Sequence, residues 1–132
     1  MELIDLPVGS AGLRVDGERL VRRLAELGAV GAIEGTDGCA RLALTDADRD
    51  GRDLVVAWMR DLGMTVEVDG IGNVLGVWGG SEALAPVMTG SHIDTVRTGG
   101  RYDGNLGVLA GLEVVETLIS AGVSPRRPLA VA

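Results

Sequence analysis

Apolar residues recur at helical spacing in three stretches of the chain and at strand spacing between them. Leu20, Val21, Leu24 and Leu27 predict a helix from Asp16 to about Leu27, with Asp16 placed to cap its start and Gly28 to stop it. Leu54, Val55, Trp58, Met59 and Leu62 predict a second. Thr45 and Asp48 form a capping-box-like start, and Gly63 stands where a C′ glycine belongs. A third helix, from about Gly104 to Ala121, carries Leu106, Val108, Leu109, Leu112, Val115, Leu118 and Ile119, and Gly122 follows it. "MTVEVD" alternates with period two and "GNVLGVWG" is a short apolar strand. Asp69–Gly70 between them predicts a tight turn and antiparallel pairing. "APVMTGSHID" reads as a third strand, apolar before its polar end, and "PLAVA" as the opening of a buried fourth. Residues 1–15 read as an irregular leader punctuated by Pro7, Gly9 and Gly12, and "GAVGAIEGTDGCARLAL" as a glycine-broken loop. The order of elements predicts an α/β fold. An apolar half-strand at the last residue suggests the N-terminal part of a longer α/β protein; the alternative is a small domain with a short last strand.

Composition narrows the class. The 132 residues are 46% hydrophobic, enough for one core, and with no Phe, one Tyr and two Trp that core is aliphatic. The net charge of −7, with both signs mixed along the chain, leaves no basic stripe for nucleic acid or an anionic membrane surface. Cys39 is the single cysteine, so neither an internal disulfide nor a CxxC zinc spacing exists, as suits a reduced, cytoplasmic chain. "MELIDLPVGSAG" has neither the basic start nor the apolar run of a secretory signal, and no segment approaches the roughly 20 apolar residues of a membrane span.

The chemistry concentrates in "TGSHIDTVRTGGRYDGNLGVLAGLEVV". It holds the only histidine, His92, with Asp94 two residues on and Asp103 eleven residues on. On a strand, residues i and i+2 share a face, so Asp94 stands beside His92, where a carboxylate fixes the imidazole tautomer and makes the other nitrogen a better metal ligand. Gly99–Gly100 let the loop turn back, so Asp103 can approach His92 at the start of the third helix and hold one metal ion or bridge two. Ligands in open α/β sheets collect at the carboxyl ends of strands, where this loop lies. Each residue also has a structural reading: His92 as a hydrogen-bonding side chain, Asp94 as a turn cap with Thr95, Asp103 as a helix N-cap. A phosphate-cradling loop is disfavoured, because GxxxxGK[ST] is absent and Asp103 occupies the helix N-terminus an anion needs.

These residues resemble the metal-site segment of the N-carbamoyl-L-amino-acid hydrolases, ureidopropionases and allantoate amidohydrolases, a subgroup of the dinuclear metallo-aminoacylase/carboxypeptidase superfamily. "GSHIDTV" and "GGRYDGNLGVLAG" carry the resemblance most specifically. "ERLVRRLAELGAVG", "RLALTDADRDGRDLVVAWMRDLGMTVEVDGIGNVLGVWGG" and "AGVSPRRPLAVA" extend it over nearly all of the chain after the leader. The resemblance implies that residues 16–132 are the N-terminal portion of a three-layer α/β/α zinc-exopeptidase-like catalytic domain with a mixed sheet. It implies His92 as a ligand of one metal, Asp94 as the carboxylate that orients His92, and Asp103 as the bridge between two divalent ions (zinc, manganese, cobalt or nickel). The implied reaction is hydrolysis of a linear amide or carbamoyl C–N bond in a small N-carbamoyl or ureido compound, by a parent that dimerises through a separate domain. Such proteins also carry an adjacent Glu–Glu pair and further histidines, none of which this sequence contains. The resemblance therefore leaves two expectations: part of a metal-dependent amidohydrolase, inactive alone, or a non-catalytic α/β remnant that binds a partner through its sheet edge.

Overall fold

A computed structural model describes residues 12–132; residues 1–11 of the expected leader lie outside them. The order of elements is α1 (Gly17–Ala29), α2 (Asp46–Asp61), β1 (Thr65–Val68), β2 (Val74–Trp78), β3 (Val87–Thr89), α3 (Asn105–Ser120) and β4 (Leu129–Val131).

Local chemistry sets the helix ends. The Asp16 carboxylate accepts the Arg19 N–H at 2.9 Å, and the Thr45 hydroxyl accepts the Asp48 N–H at 3.3 Å. Asp48 reaches back to the Leu44 N–H at 3.0 Å, one residue earlier than a regular capping box. Gly122, at φ +67°, closes α3 in a Schellman motif: its N–H meets the Ile119 carbonyl and the Val123 N–H meets that of Leu118, both at 3.0 Å. Gly28 does not stop α1, which runs on to Ala29. Its role is close approach, since a Cβ there would lie 3.1 Å from Arg101 Cδ.

The sheet order is β1-β2-β4-β3. The β1–β2 pair is antiparallel as expected, but its connection is longer than a tight turn. Five residues, 69–73, wrap around the Asp69 carboxylate, which accepts the N–H groups of Ile71 and Asn73 and the Asn73 amide at 2.7–3.0 Å. β4 lies antiparallel to β2 and parallel to β3, giving a mixed sheet. Gly76, Val131 and Thr89 stand in one row across three strands. A Cβ on Gly76 would meet Met59 Sδ of α2 at 2.8 Å, and one on Gly111 of α3 would meet Thr89 and Val131 at 2.9–3.1 Å, so α2 and α3 both cover this face.

Gly104, Gly107 and Gly111 form a stripe that lets α3 press against the chain leaving β3. A Cβ on Gly107 would lie 2.8 Å from Ser91 Cβ. The stripe brings the first turn of α3 down to His92. The core beneath is Leu24, Leu27, Val55, Met59, Met64, Val108, Leu109, Leu112, Val115 and Val131. Three residues expected on buried helix faces point outward instead: Val21, Leu106 and Ile119 lie at the edges of their apolar stripes and are exposed. No helix among the described residues is long and apolar enough to cross a membrane.

Candidate metal centre

The expected third strand through Asp94 is shorter: its ladder ends at Thr89. The Ser91 N–H still bonds the Ala132 carbonyl at 3.2 Å, after which the chain leaves the sheet. It is drawn away by Arg41, whose Nε donates to the Ile93 carbonyl at 2.9 Å and whose own carbonyl accepts the Thr95 N–H at 2.8 Å. His92 and Asp94 nevertheless meet. His92 Nδ1 lies 3.0 Å from the Asp94 backbone carbonyl and 3.3 Å from its carboxylate Oδ1. With the proton on Nδ1 facing these two oxygens, Nε2 keeps its lone pair, and it has no hydrogen-bond partner among the described residues. Both side chains are about half exposed, at 52% and 45%.

Asp103 precedes Gly104, the residue that sits against the His92 ring. That glycine has φ +70°, and its Cα packs on His92: a Cβ would lie 2.6 Å from ring Cε1 and 2.7 Å from Nδ1. The N-cap of α3 is Gly104, with no side-chain cap bond, so the exposed Asp103 carboxylate is not used as a helix cap; only its backbone carbonyl bonds, to the Asn105 N–H at 2.8 Å. The Thr95 hydroxyl is likewise engaged with Arg41, Cys39 and Val96 rather than with Asp94.

A cavity of about 590 Å³ opens on the His92–Asp94 side, with Arg52, Met59 and Met88 among its walls; Asp103 is not in its lining. No three His, Cys, Asp or Glu side chains among the described residues converge to hold an ion. The donor chemistry fits part of a metal site: one imidazole nitrogen oriented from behind by a carboxylate, and one carboxylate free of structural bonds.

Arg41 was not singled out in the sequence. Its signal is a lone charge inside an apolar run, "CARLAL". It is fully buried, and Gly51 in the middle of α2 makes room for it: a Cβ there would meet Arg41 Cδ at 2.6 Å. A helix-interior Gly→Ala change ordinarily stabilises by about 1 kcal/mol. Here overpacking of roughly 1–3 kcal/mol against a pinned side chain outweighs it. Gly51→Ala is expected to destabilise by about 1 kcal/mol in urea unfolding, and a stabilised variant would show that Arg41 moves freely.

The described residues thus form a mixed α/β sheet with a histidine–carboxylate pair in the loop that leaves one strand. No family model matches the chain. It is 45% identical over 118 residues to the N-carbamoyl-L-amino acid amidohydrolase of Geobacillus stearothermophilus, covering 89% of this chain and 29% of that protein. It is 37% identical over 124 residues to a ureidoglycolate hydrolase of Oryza sativa, covering 93% of this chain and 25% of that one. A crystal structure of a hydantoinase/carbamoylase family amidase from Burkholderia ambifaria matches with a TM-score of 0.87 at 53% identity, covering 90% of this chain and 29% of that chain. The chain belongs to this carbamoyl and ureido amidohydrolase family, and it spans under a third of the length of these relatives.

Proposed function

We propose that the chain supplies His92, Asp94 and Asp103 to the metal-dependent active site of an amidohydrolase that cleaves the C–N bond of a small N-carbamoyl or ureido compound. The observation that carries this reading is His92 held by Asp94 through Nδ1 while Gly104, next to Asp103, packs on the His92 ring. His92 would hold one divalent ion through Nε2, and Asp103 would bridge it to a second; zinc, manganese, cobalt and nickel all suit such ligands. Two bound ions would supply an activated water and a polarised carbonyl. Asp94 keeps the His92 ring in one tautomer and at one angle, and Gly104 fixes the distance between imidazole and bridge. Two protein ligands are too few for a closed site, so the chain alone is inactive; a cytoplasmic, dimeric parent of the relatives' length would complete it.

The test replaces the matching segment of the Geobacillus amidohydrolase with this chain. The folded chimera is expected to hydrolyse N-carbamoyl-L-amino acids. Asp94→Asn should reduce activity about 10–100-fold, with partial rescue by excess metal, because the ligands themselves survive. Asp103→Ala should lose more, without rescue, because no ion concentration rebuilds a bridge. Near-normal activity of Asp103→Ala at ordinary metal levels would overturn the assignment. So would turnover on the order of 1–10³ per second by the isolated chain.

A further inference from the structure

Arg41 has no accessible surface, and its guanidinium makes no bond to a carboxylate. A buried cation is costly unless its hydrogens are satisfied and its charge offset. Nη1 lies 2.8 and 2.6 Å from the carbonyls of Leu27 and Val30, the last turn and C-cap of α1, and 3.3 Å from Cys39 Sγ. The negative end of the α1 dipole supplies the offset, and α1 has no basic residue of its own in its last turn. The remaining two bonds leave α1. Nε binds the Ile93 carbonyl at 2.9 Å, between His92 and Asp94, and Nη2 binds the side-chain oxygen of Asn105 at 3.0 Å, two residues after Asp103. Asn105 is itself fully buried and returns its amide to the Arg101 carbonyl at 2.8 Å.

One rigid, planar fork thus grips both chain segments that carry the candidate ligands and anchors them to a helix end. We propose that Arg41 is a positioning residue: through Ile93 and Asn105 it fixes the His92–Asp94 segment and the Asp103 turn in one relation, and so sets the distance between the two ligands. A residue serving only the core would need no bonds to these two segments. Lysine cannot substitute, because a single ammonium cannot reach acceptors on α1, at Ile93 and at Asn105 together.

The experiment has two readouts, the first on the 132-residue chain and the second on the chimera with the Geobacillus amidohydrolase. Amide hydrogen exchange, without metal, compares wild type with Arg41→Lys and with Asn105→Ala, a milder change that cuts only the α3 arm. The expected result is faster exchange at residues 92–105 in both variants, by about tenfold or more, with the β1–β2 hairpin unchanged. Val115→Ala, a plain core truncation, should speed exchange across the whole chain instead. Uniform loss of protection in Arg41→Lys and Asn105→Ala, or none in either, would overturn the proposal. The second readout is Mn²⁺ alone, titrated by water proton relaxation into the chimera, where the rest of the amidohydrolase completes the site; it rests on the metal reading of His92 and Asp103. Arg41→Lys should weaken binding about 10–100-fold, as supporting residues behind ligands do, and Val115→Ala should leave it unchanged. Equal affinity in wild type and Arg41→Lys would also overturn positioning. Wild type that binds no Mn²⁺ would count against the metal reading, and exchange would then decide the role of Arg41.

Discussion

Gly104→Ala is expected to destabilise the protein by about 3 kcal/mol and to push the start of α3 off His92. Two costs add. At φ +70° and ψ −51°, the centre of a γ-turn closed by the Asn105 N–H on the Asp103 carbonyl, an alanine is strained by roughly 1–3 kcal/mol. Its methyl group would also lie 2.6–2.7 Å from two atoms of the His92 ring and against the His92 carbonyl, so turning the ring alone relieves nothing. Overpacking of this kind costs roughly 1–3 kcal/mol. The readout is thermal unfolding, with a drop on the order of 10 °C for a chain of this size, together with loss of the His92–Asp94 contact in imidazole nitrogen NMR. Gly100→Ala is the control: it lies in the same loop, a Cβ there meets nothing within 4 Å, and near-neutral behaviour is expected. Equal stability of the two variants would show that the α3 turn yields easily and does not hold His92 in place.

The second large effect belongs to Glu113. Its carboxylate is 1% exposed and binds Arg19 Nε and Nη2 at 2.8 and 2.7 Å, the Asp16 N–H at 2.7 Å and the Thr117 hydroxyl at 3.1 Å. It locks the start of α1 to the middle of α3. Glu113→Ala removes all of these at once. Breaking one partner of a buried pair costs about 3–5 kcal/mol; about 3 is expected here, because Arg19 keeps Glu116 at 3.3 Å. Burial pushes the Glu113 carboxyl up, but the bonds from Arg19, Asp16 and Thr117 outweigh it, and the net result lies below the ordinary 4.5. A carboxyl depressed in the folded state adds stability above its unfolded value and loses it as pH falls through the folded one. The stability gap between wild type and Glu113→Gln should therefore be full at pH 7 and shrink below about pH 4.5. A gap independent of pH between 7 and 3 would show that the ion pair contributes nothing through its charge.

Periodicity made the three helices, the hairpin and the fourth strand legible, because each is set by local spacing and caps. Asp16, Thr45 and Gly63 act where the sequence placed them. The His92–Asp94 contact was legible from their two-residue spacing, although the strand that suggested it ends at Thr89. What sequence could not show depends on partners far along the chain. The third strand stops at Thr89, and Arg41, about 50 positions earlier, binds the Ile93 carbonyl and the Thr95 N–H of the chain beyond it. Gly28 read as a helix stop and Gly51 was not singled out, yet each is an imprint of an arginine packed across it. That Asp103 does not cap α3 turned on Gly104 taking the cap position, which hydrophobic pattern does not encode.

The place of β4 in the sheet has a consequence for how the chain folds as it is made. The strand that comes last in the described sequence sits in the interior, between β2 and β3, and β3 has no other partner in the sheet. The β1–β2 hairpin can close as soon as Trp78 is available, but Val87–Thr89 has nothing to pair with until Leu129–Val131 arrives, some 50 residues after β2. At roughly 5–20 residues per second, that leaves the hairpin's open edge exposed for several seconds during synthesis. The short strands limit how much sticky edge that nascent chain offers to its neighbours, and α2, already complete, covers one face of the hairpin while it waits.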